Sequence, residues 1–281
     1  MRLVVQHPRL ADAAIGCFAA EVGRMPDRRA ADLATWDGLS PGSPTIARVR
    51  ELGAALGVDA DLVAADLRLE DFRLIAFDMD STLITVECID EIADFAGRRA
   101  EVSAITEATM RGEIADFAES LRRRVACLRG VPATALQSVL DDRVRLTPGA
   151  GTLIARAKAA GLATLLVSGG FTFFTDALRE RLGLDHARAN RLEIVDGTLS
   201  GRVVGPVVDA AFKHDELLRR CAALGIGPTQ AIVVGDGAND LRMMSIAGLS
   251  VAWRAKPVVR AQAHVALGSG GLDALLNLFV A

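Results

Sequence analysis

Three apolar runs in this chain share one kind of ending. LIAFD over 74–78 is apolar up to its final acid, LATLLV over 162–167 stops before Ser168, Gly169 and Gly170, and AIVV over 231–234 stops before Gly235, Asp236 and Gly237. Unbroken apolar runs of this length suit strands buried on both faces of a parallel sheet. Each is followed by small or polar residues and then by a helical pattern. Ser168 to Gly170 are expected to open one such helix. The helix-like LIARAKAA is framed by Thr147 and Pro148 as N-cap and first-turn residues and by Gly161 as its stop. The alternation predicts an α/β fold with an open, doubly wound, Rossmann-like parallel sheet. Ligands of such sheets sit beyond the carboxyl ends of the strands, so the three polar loops are expected to share one edge.

The rhythm changes between Thr85 and Asp142, where Ile89, Ile92, Ala93 and Ala96 recur at helical spacing with no strand between them. This predicts a helical cap inserted at about 85–142. In LEIVDGTLSGRVVG the pair Asp196-Gly197 separates two strand-like runs, a hairpin signal that predicts an antiparallel edge. Residues 1–70 combine a strand-like MRLVVQ, a helix-like LADAAIGCFAAEVG, the turn SPGSP and a second helix near Ala47 to Gly57. They are expected to form a small N-terminal αβ domain ahead of a catalytic domain over 71–281. No internal repeat is evident.

Composition narrows the function classes. With 281 residues, 51% hydrophobic and 24% charged, the chain has the make-up of a soluble globular protein with a full core, not of a disordered or fibrous one. Its net charge of −3 provides no field to hold a polyanion, which argues against nucleic acid as a partner. No apolar run approaches the roughly 18 residues of a membrane span, and the N-terminal LVV is too short for a signal-peptide core. The expectation is a cytoplasmic protein with no membrane partner. Cys17, Cys88, Cys127 and Cys221 are too scattered for a zinc ribbon or a disulfide framework, and His7, His186, His214 and His264 lack metal-ligand spacing.

Candidate chemistry concentrates at the ends of the apolar runs. Asp78 and Asp80, two apart at a strand end, point to the same side if the extended geometry persists. Two such acids can divide the roles of nucleophile and proton donor. Asp236 could join Asp78 around a hard divalent cation, although a turn in which Asn239 or Asp240 caps the next helix fits the spacing equally. Ser168 and the amides beside it suit a phosphate, with a plain turn as the alternative. Lys213, one of only three lysines among 32 basic residues, precedes a helix-like stretch. A phosphate dianion beside two carboxylates collects several like charges, and a divalent cation together with Lys213 would offset them.

DMDSTLI at 78–84, SGG at 168–170, Lys213 and GDGAND at 235–240 occur in the order of the four motifs of the haloacid dehalogenase superfamily of phosphotransferases, which the chain resembles over about residues 73–281. ECIDEIA, SLRRRV and VSGGF resemble its phosphoserine-hydrolysing members. The resemblance implies that Asp78 attacks phosphorus and that Asp80 protonates the departing oxygen and then activates water. It implies Mg²⁺ held by the carboxylates of Asp78 and Asp236 and the backbone carbonyl of Asp80, with Asp240 in support. Ser168, Gly169, Lys213 and Asn239 would hold the phosphoryl group. Glu87 would meet the ammonium and Arg124 the carboxylate of the substrate, with Met110 and Phe117 lining the cap.

Helical geometry by itself leaves two arginines open. Ile114, Phe117, Ala118, Leu121, Val125 and Leu128 make one apolar face, Arg123 points away from it, and Arg122 and Arg124 flank it at roughly 90° and 70°. The resemblance selects Arg124. The implied activity is Mg²⁺-dependent hydrolysis of O-phospho-L-serine to L-serine and phosphate through an aspartyl phosphate, the last step of serine synthesis. Action on another small phosphomonoester, transfer to another acceptor, and a phosphate-ligand sensor without turnover are the competing readings. For residues 1–70, an amino-acid-binding regulatory domain of the ACT type and a structural or dimerising role are both open, so a homodimer is admitted.

Overall fold

The structure, a computed structural model, describes residues 1–42, 44–111 and 113–280, without the side chain of Met110. The chain folds into two compact units. One comprises Met1–Ile75, Pro148–Ala163 and Ile226–Ala281, and the other Ala76–Thr147 and Thr164–Gly225.

At the N-terminus, β1 (Arg2–Gln6), α1 (Asp12–Val22), β2 (Arg28–Arg29), β3 (Leu33–Trp36), α2 (Ile46–Leu56) and β4 (Asp59–Val63) form an antiparallel sheet in the order β2-β3-β1-β4. This βαββαβ order is that of the ferredoxin-like motif. Strand alternation sorts β1 into two faces. Leu3 and Val5 join Ile15, Phe18, Trp36 and Val49 in one apolar cluster, while Arg2, Val4 and Gln6 are buried on the other face. Thr45 caps α2 by accepting the Arg48 N–H at 3.2 Å, and Gly57 ends it in the left-handed region at φ 67°. Of the SPGSP turn, Ser43 lies outside the described residues.

In the remainder, β5 (Leu74–Phe77) is the first apolar run, and α3 (Cys88–Phe95), α4 (Arg99–Met110), α5 (Phe117–Ala126) and α6 (Thr134–Asp142) follow it without an intervening strand. Next come α7 (Ala150–Ala159), β6 (Ala163–Phe171), α8 (Thr172–Leu182), β7 (His186–Val195), β8 (Thr198–Val204) and α9 (Ala210–Ala223). The chain closes with β9 (Ala231–Gly235), α10 (Leu241–Met244), β10 (Leu249–Trp253), α11 (Pro257–Gln262) and β11 (Val265–Leu267). Seven strands make one sheet in the order β11-β10-β9-β5-β6-β7-β8. Its β9-β10, β10-β11 and β6-β7 pairs are parallel, and β8 runs antiparallel to β7 at the edge. The doubly wound, mostly parallel sheet is therefore present. Asp196 and Gly197 form the two-residue β7-β8 turn with φ of 48° and 75°, the positive values that a type I′ hairpin demands.

Two local expectations fail for identifiable reasons. Ser168 to Gly170 do not open a helix: they remain in β6, and α8 starts at Thr172. Two successive glycines let the strand shift register between Val167 and Phe171 and still pair Phe171 with Asn190. Thr147 and Pro148 do not start α7, which begins at Ala150 after Gly149 at φ 79°. The Thr147 hydroxyl donates instead to the Thr82 carbonyl at 2.7 Å, and the Pro148 carbonyl accepts the Leu272 N–H at 2.7 Å.

The sheet's terminal strand β11 is met by acids from β4. Asp61 Oδ2 accepts the Ala266 N–H at 2.7 Å, and Asp59 accepts those of Gly268 and Ser269 at 3.0 and 2.8 Å. Arg50 binds Asp61 Oδ1 at 2.6 Å and donates to the carbonyls of Arg260, Ala263 and His264. The outward amide of Ala266 in β11, and backbone groups on either side of that strand, are thus satisfied by side chains.

Candidate active site

The end of β5 sets the geometry. Asp78 and Asp80 keep extended backbones (ψ 161° and 137°), and Ser81 then turns the chain with φ 55°, in the left-handed region. Asp78 Oδ1 accepts the Met79 N–H at 2.7 Å, and its Oδ2 lies 2.9 Å from Lys213 Nζ. Lys213 is fully buried in α9, whose N-terminus Asp209 caps by accepting the Phe212 N–H at 2.8 Å. A buried ammonium is tolerated only beside a counter-charge, so this lysine is not a solvated first-turn residue.

Asp80 meets different surroundings. Its Oδ1 accepts the Cys88 N–H at 3.1 Å, and a Cβ on Gly170 would stand 2.6 Å from its Oδ2, so any larger residue there would displace this carboxylate. Burial first, then Glu87 and Asp78, push its carboxyl well above the ordinary aspartate range, while the Cys88 contacts pull the other way. Asp80 therefore keeps a proton beyond the range of an ordinary aspartate. Burial, then Asp80, also raises the Cys88 thiol well above its ordinary value, which leaves Cys88 a packing residue.

Ser168 is buried, and its Oγ accepts the Gly170 N–H at 2.9 Å, which leaves its hydroxyl proton to donate elsewhere. Phe117, the first residue of α5, reaches over Gly169: a Cβ there would lie 3.1 Å from the ring. The Ser81 hydroxyl donates to Glu87 Oε1 at 2.7 Å. Glu87 keeps accessible surface yet is crowded by protein, as a cleft side chain is, and burial pushes its carboxyl up against the pull of Ser81 and Arg124. On α5, Arg122 and Arg123 are exposed and Arg124 is half-buried, with its Nε buried and without a hydrogen-bond partner. Burial lowers the Arg124 pKa while Asp90, Glu87 and Asp80 hold it up.

All of these groups belong to the unit built from Ala76–Thr147 and Thr164–Gly225. Asp236, Asn239 and Asp240 belong to the other unit, on the turn after β9. There Asp240 is fully buried and its Oδ2 accepts the Gly237 N–H at 3.1 Å, so it braces the turn that carries Asp236. Asp78 in the one unit and Asp236 and Asp240 in the other each offer a carboxylate oxygen, a ligand type that a metal ion accepts. The Met110 side chain lies outside the described residues, while its backbone ends α4.

Residues 75–245 match the haloacid dehalogenase-like hydrolases. A phosphoserine phosphatase of a Polaromonas species is 59% identical over 226 residues, covering 79% of this chain and 96% of the relative. The chain belongs to this hydrolase family, among its phosphoserine phosphatases. A further phosphoserine phosphatase, from Albidiferax ferrireducens, is 59% identical over 77% of this chain and 93% of its own. Among solved structures, a hydrolase of the same family from Salmonella enterica superposes with a TM-score of 0.89 at 34% identity, covering 99% of both chains. A substrate-bound phosphoserine phosphatase complex superposes with a TM-score of 0.70 at 38% identity, over 74% of this chain and 99% of that one. The catalytic part of this family member therefore has counterparts in sequence and in structure.

Sequence reasoning passed over two residues that the geometry brings in. Ser81 is visible only as the residue after Asp80, and its left-handed backbone is what turns its hydroxyl to Glu87. Asn190 lies in β7, buried and bonded at both ends of its amide, and a lone asparagine in the row HARANRLEIV carries no signal of that.

Proposed function

We propose that this enzyme hydrolyses O-phospho-L-serine to L-serine and phosphate through a phosphorylated Asp78. A carboxylate oxygen of Asp78 attacks phosphorus, the bond from phosphorus to the serine oxygen breaks, and Asp80 gives that oxygen its proton. Asp80, now a carboxylate, takes a proton from the water that attacks the acyl phosphate, which frees phosphate and restores Asp78. Lys213, the Ser168 hydroxyl, the Gly169 amide and Asn239 hold the phosphoryl oxygens. The observation that carries this reading is the 2.9 Å pair of Asp78 with a fully buried lysine, next to an acid whose carboxyl burial pushes well above the ordinary aspartate range.

The donor set fits Mg²⁺, because Asp78, Asp236 and Asp240 offer oxygen alone, the ligand of a hard cation. The carboxylates of Asp78 and Asp236 and the carbonyl of Asp80 would hold the ion, and Asp240 would support them. When bound, the ion supplies positive charge against the phosphate and the acids around it.

At the other end of the substrate, Arg124 takes the carboxylate and Glu87 the ammonium, with Phe117 lining the cap. The Arg124 Nε, buried and without a hydrogen-bond partner, supports this, since a buried donor calls for an acceptor. The same reading places the reaction at the end of serine synthesis in the cytoplasm. No helix among the described residues is long and apolar enough to cross a membrane. It takes residues 1–70 as a small domain with a structural, dimerising or ACT-like role, followed by a catalytic domain over 71–281 whose cap spans about 85–142.

The test is phosphate release from L-phosphoserine, D-phosphoserine, phosphothreonine and a sugar phosphate, with Mg²⁺ or with EDTA. Mg²⁺-dependent release favouring L-phosphoserine is expected. Broad release would discard the roles of Glu87 and Arg124, and no release by folded protein would favour a sensor.

A further inference from the structure

Asn190 sits in β7 at 1% exposure, opposite Phe171 of β6, and spends both ends of its amide on backbone from two other segments. Its Nδ2 donates to the Gly169 carbonyl at 2.7 Å, and its Oδ1 accepts the Val208 N–H at 2.8 Å. Gly169 belongs to the shifted end of β6, next to Ser168. Val208 immediately precedes Asp209, the cap of the helix that delivers Lys213 to Asp78. A Cβ on Gly169 would stand 3.6 Å from the Val208 carbonyl oxygen, so the two segments run close together, with Asn190 bonded to each.

Each segment lies where regular pairing changes. The register of β6 breaks between Val167 and Phe171, which takes Gly169 out of the regular β6-β7 pairing. Val208 follows the end of β8, before α9 begins. A part-buried carbonyl and a buried N–H both find their partner in one asparagine, which supplies a donor and an acceptor at a fixed separation.

We infer that Asn190 is a positioning residue that sets the spacing between the Ser168-Gly169 side and the Lys213 side of the phosphoryl site. The inference rests on the function proposed above. Asn190 lies behind the phosphate-holding groups and acts through them, so it governs how well a phosphoryl group is held and not which alcohol carries it.

Two variants separate this from a merely structural role. Asn190→Asp keeps the acceptor for Val208 but, when ionised, sets a carboxylate against the Gly169 carbonyl. Asn190→Ser is too short to reach both partners and adds no charge. Each is purified, checked for folding by circular dichroism and thermal melting, and compared with the unaltered protein in kcat and KM for L-phosphoserine and D-phosphoserine and in inhibition by orthovanadate. The expected result in a folded variant is at least about a tenfold loss of kcat/KM and of orthovanadate affinity, toward the roughly 100-fold that a misplacement of about 1 Å costs. The ratio of the L to the D substrate should stay unchanged. A folded variant with unaltered kcat/KM and orthovanadate affinity overturns the inference, as does a changed L to D ratio. If neither variant folds, Asn190 is a fold determinant and the inference is likewise overturned. Failure of the unaltered protein to release phosphate or bind orthovanadate would instead refute the proposed function, before any variant is compared.

Discussion

Asp78 and Lys213 form an ion pair at 2.9 Å in which the lysine has no exposed surface and the aspartate almost none. Replacing Asp78 with Asn keeps the shape and removes the nucleophile. Turnover and acid-trapped phosphoenzyme should both vanish, as measured with ³²P-labelled substrate. Phosphate still trapped on Asp78→Asn would sink the nucleophile assignment. Lys213→Met should lower kcat by about 10²–10³-fold, the range found when one preorganised donor to a developing anion is removed.

Asp80 and Asp78 differ in their surroundings, and a pH test follows. A carboxyl whose folded pKa lies above its unfolded value, about 3.9 for aspartate, binds its proton more tightly in the folded state. Stability then falls as pH rises from the unfolded pKa through the folded one. Asp80→Asn removes that loss. Its melting temperature in EDTA, measured against the unaltered protein, should show a relative gain at pH 8 that shrinks at pH 4. Activity should fall about 10²–10⁴-fold, as for loss of a general acid and base. An equal shift in melting temperature at both pH values would count against a raised Asp80.

Arg124→Lys keeps the charge and loses the planar fork. A charge-assisted hydrogen bond is worth about 1.5–3 kcal/mol, so kcat/KM for L-phosphoserine should drop roughly 10- to 150-fold. Hydrolysis of p-nitrophenyl phosphate, which has no carboxylate, should change little. Equal losses on both substrates would assign Arg124 to the phosphoryl end.

At the N-terminal sheet, burial pushes the Asp61 carboxyl up to about 6 against the pull of Arg50. Arg50→Ala leaves a buried acid without its counter-charge and three carbonyls without their donor. Loss of one partner of a buried pair costs about 3–5 kcal/mol. Urea unfolding should show that loss at pH 8 and a smaller one at pH 5, where Asp61 takes up a proton. A pH-independent loss would show that the carbonyls, not the charge, dominate.

The strands that carry the proposed chemistry were legible because they are buried on both faces, and LIAFD, LATLLV and AIVV have no polar interruption to confuse their period. The β7-β8 hairpin was legible from Asp196-Gly197 alone. What escaped was structure made by long-range partners. β4 reads as a polar stretch because Asp59 and Asp61 alternate with Ala60 and Leu62, and only the amides of residues 266–269 explain burying those acids. The extension of β6 past Ser168 depends on its pairing with β7, which no local propensity for Ser-Gly-Gly reveals. In the site, the motif order brought Asp78 and Lys213 into one proposal, and helical periodicity reduced three arginines to two. Of those two, Arg122 is exposed and Arg124 half-buried, a difference that periodicity does not carry.

The acids of β4 bear on the outermost strand of the larger sheet. An open sheet is a template, and its outermost strand can recruit any extended peptide, including another copy of itself. Asp61 occupies that template at the Ala266 amide, and Asp59 takes the amides of Gly268 and Ser269 just past the end of β11, without adding a strand. Removing the Asp61 carboxylate would therefore do more than delete a charge: it would bare an amide of the last strand to any extended peptide that could take its place.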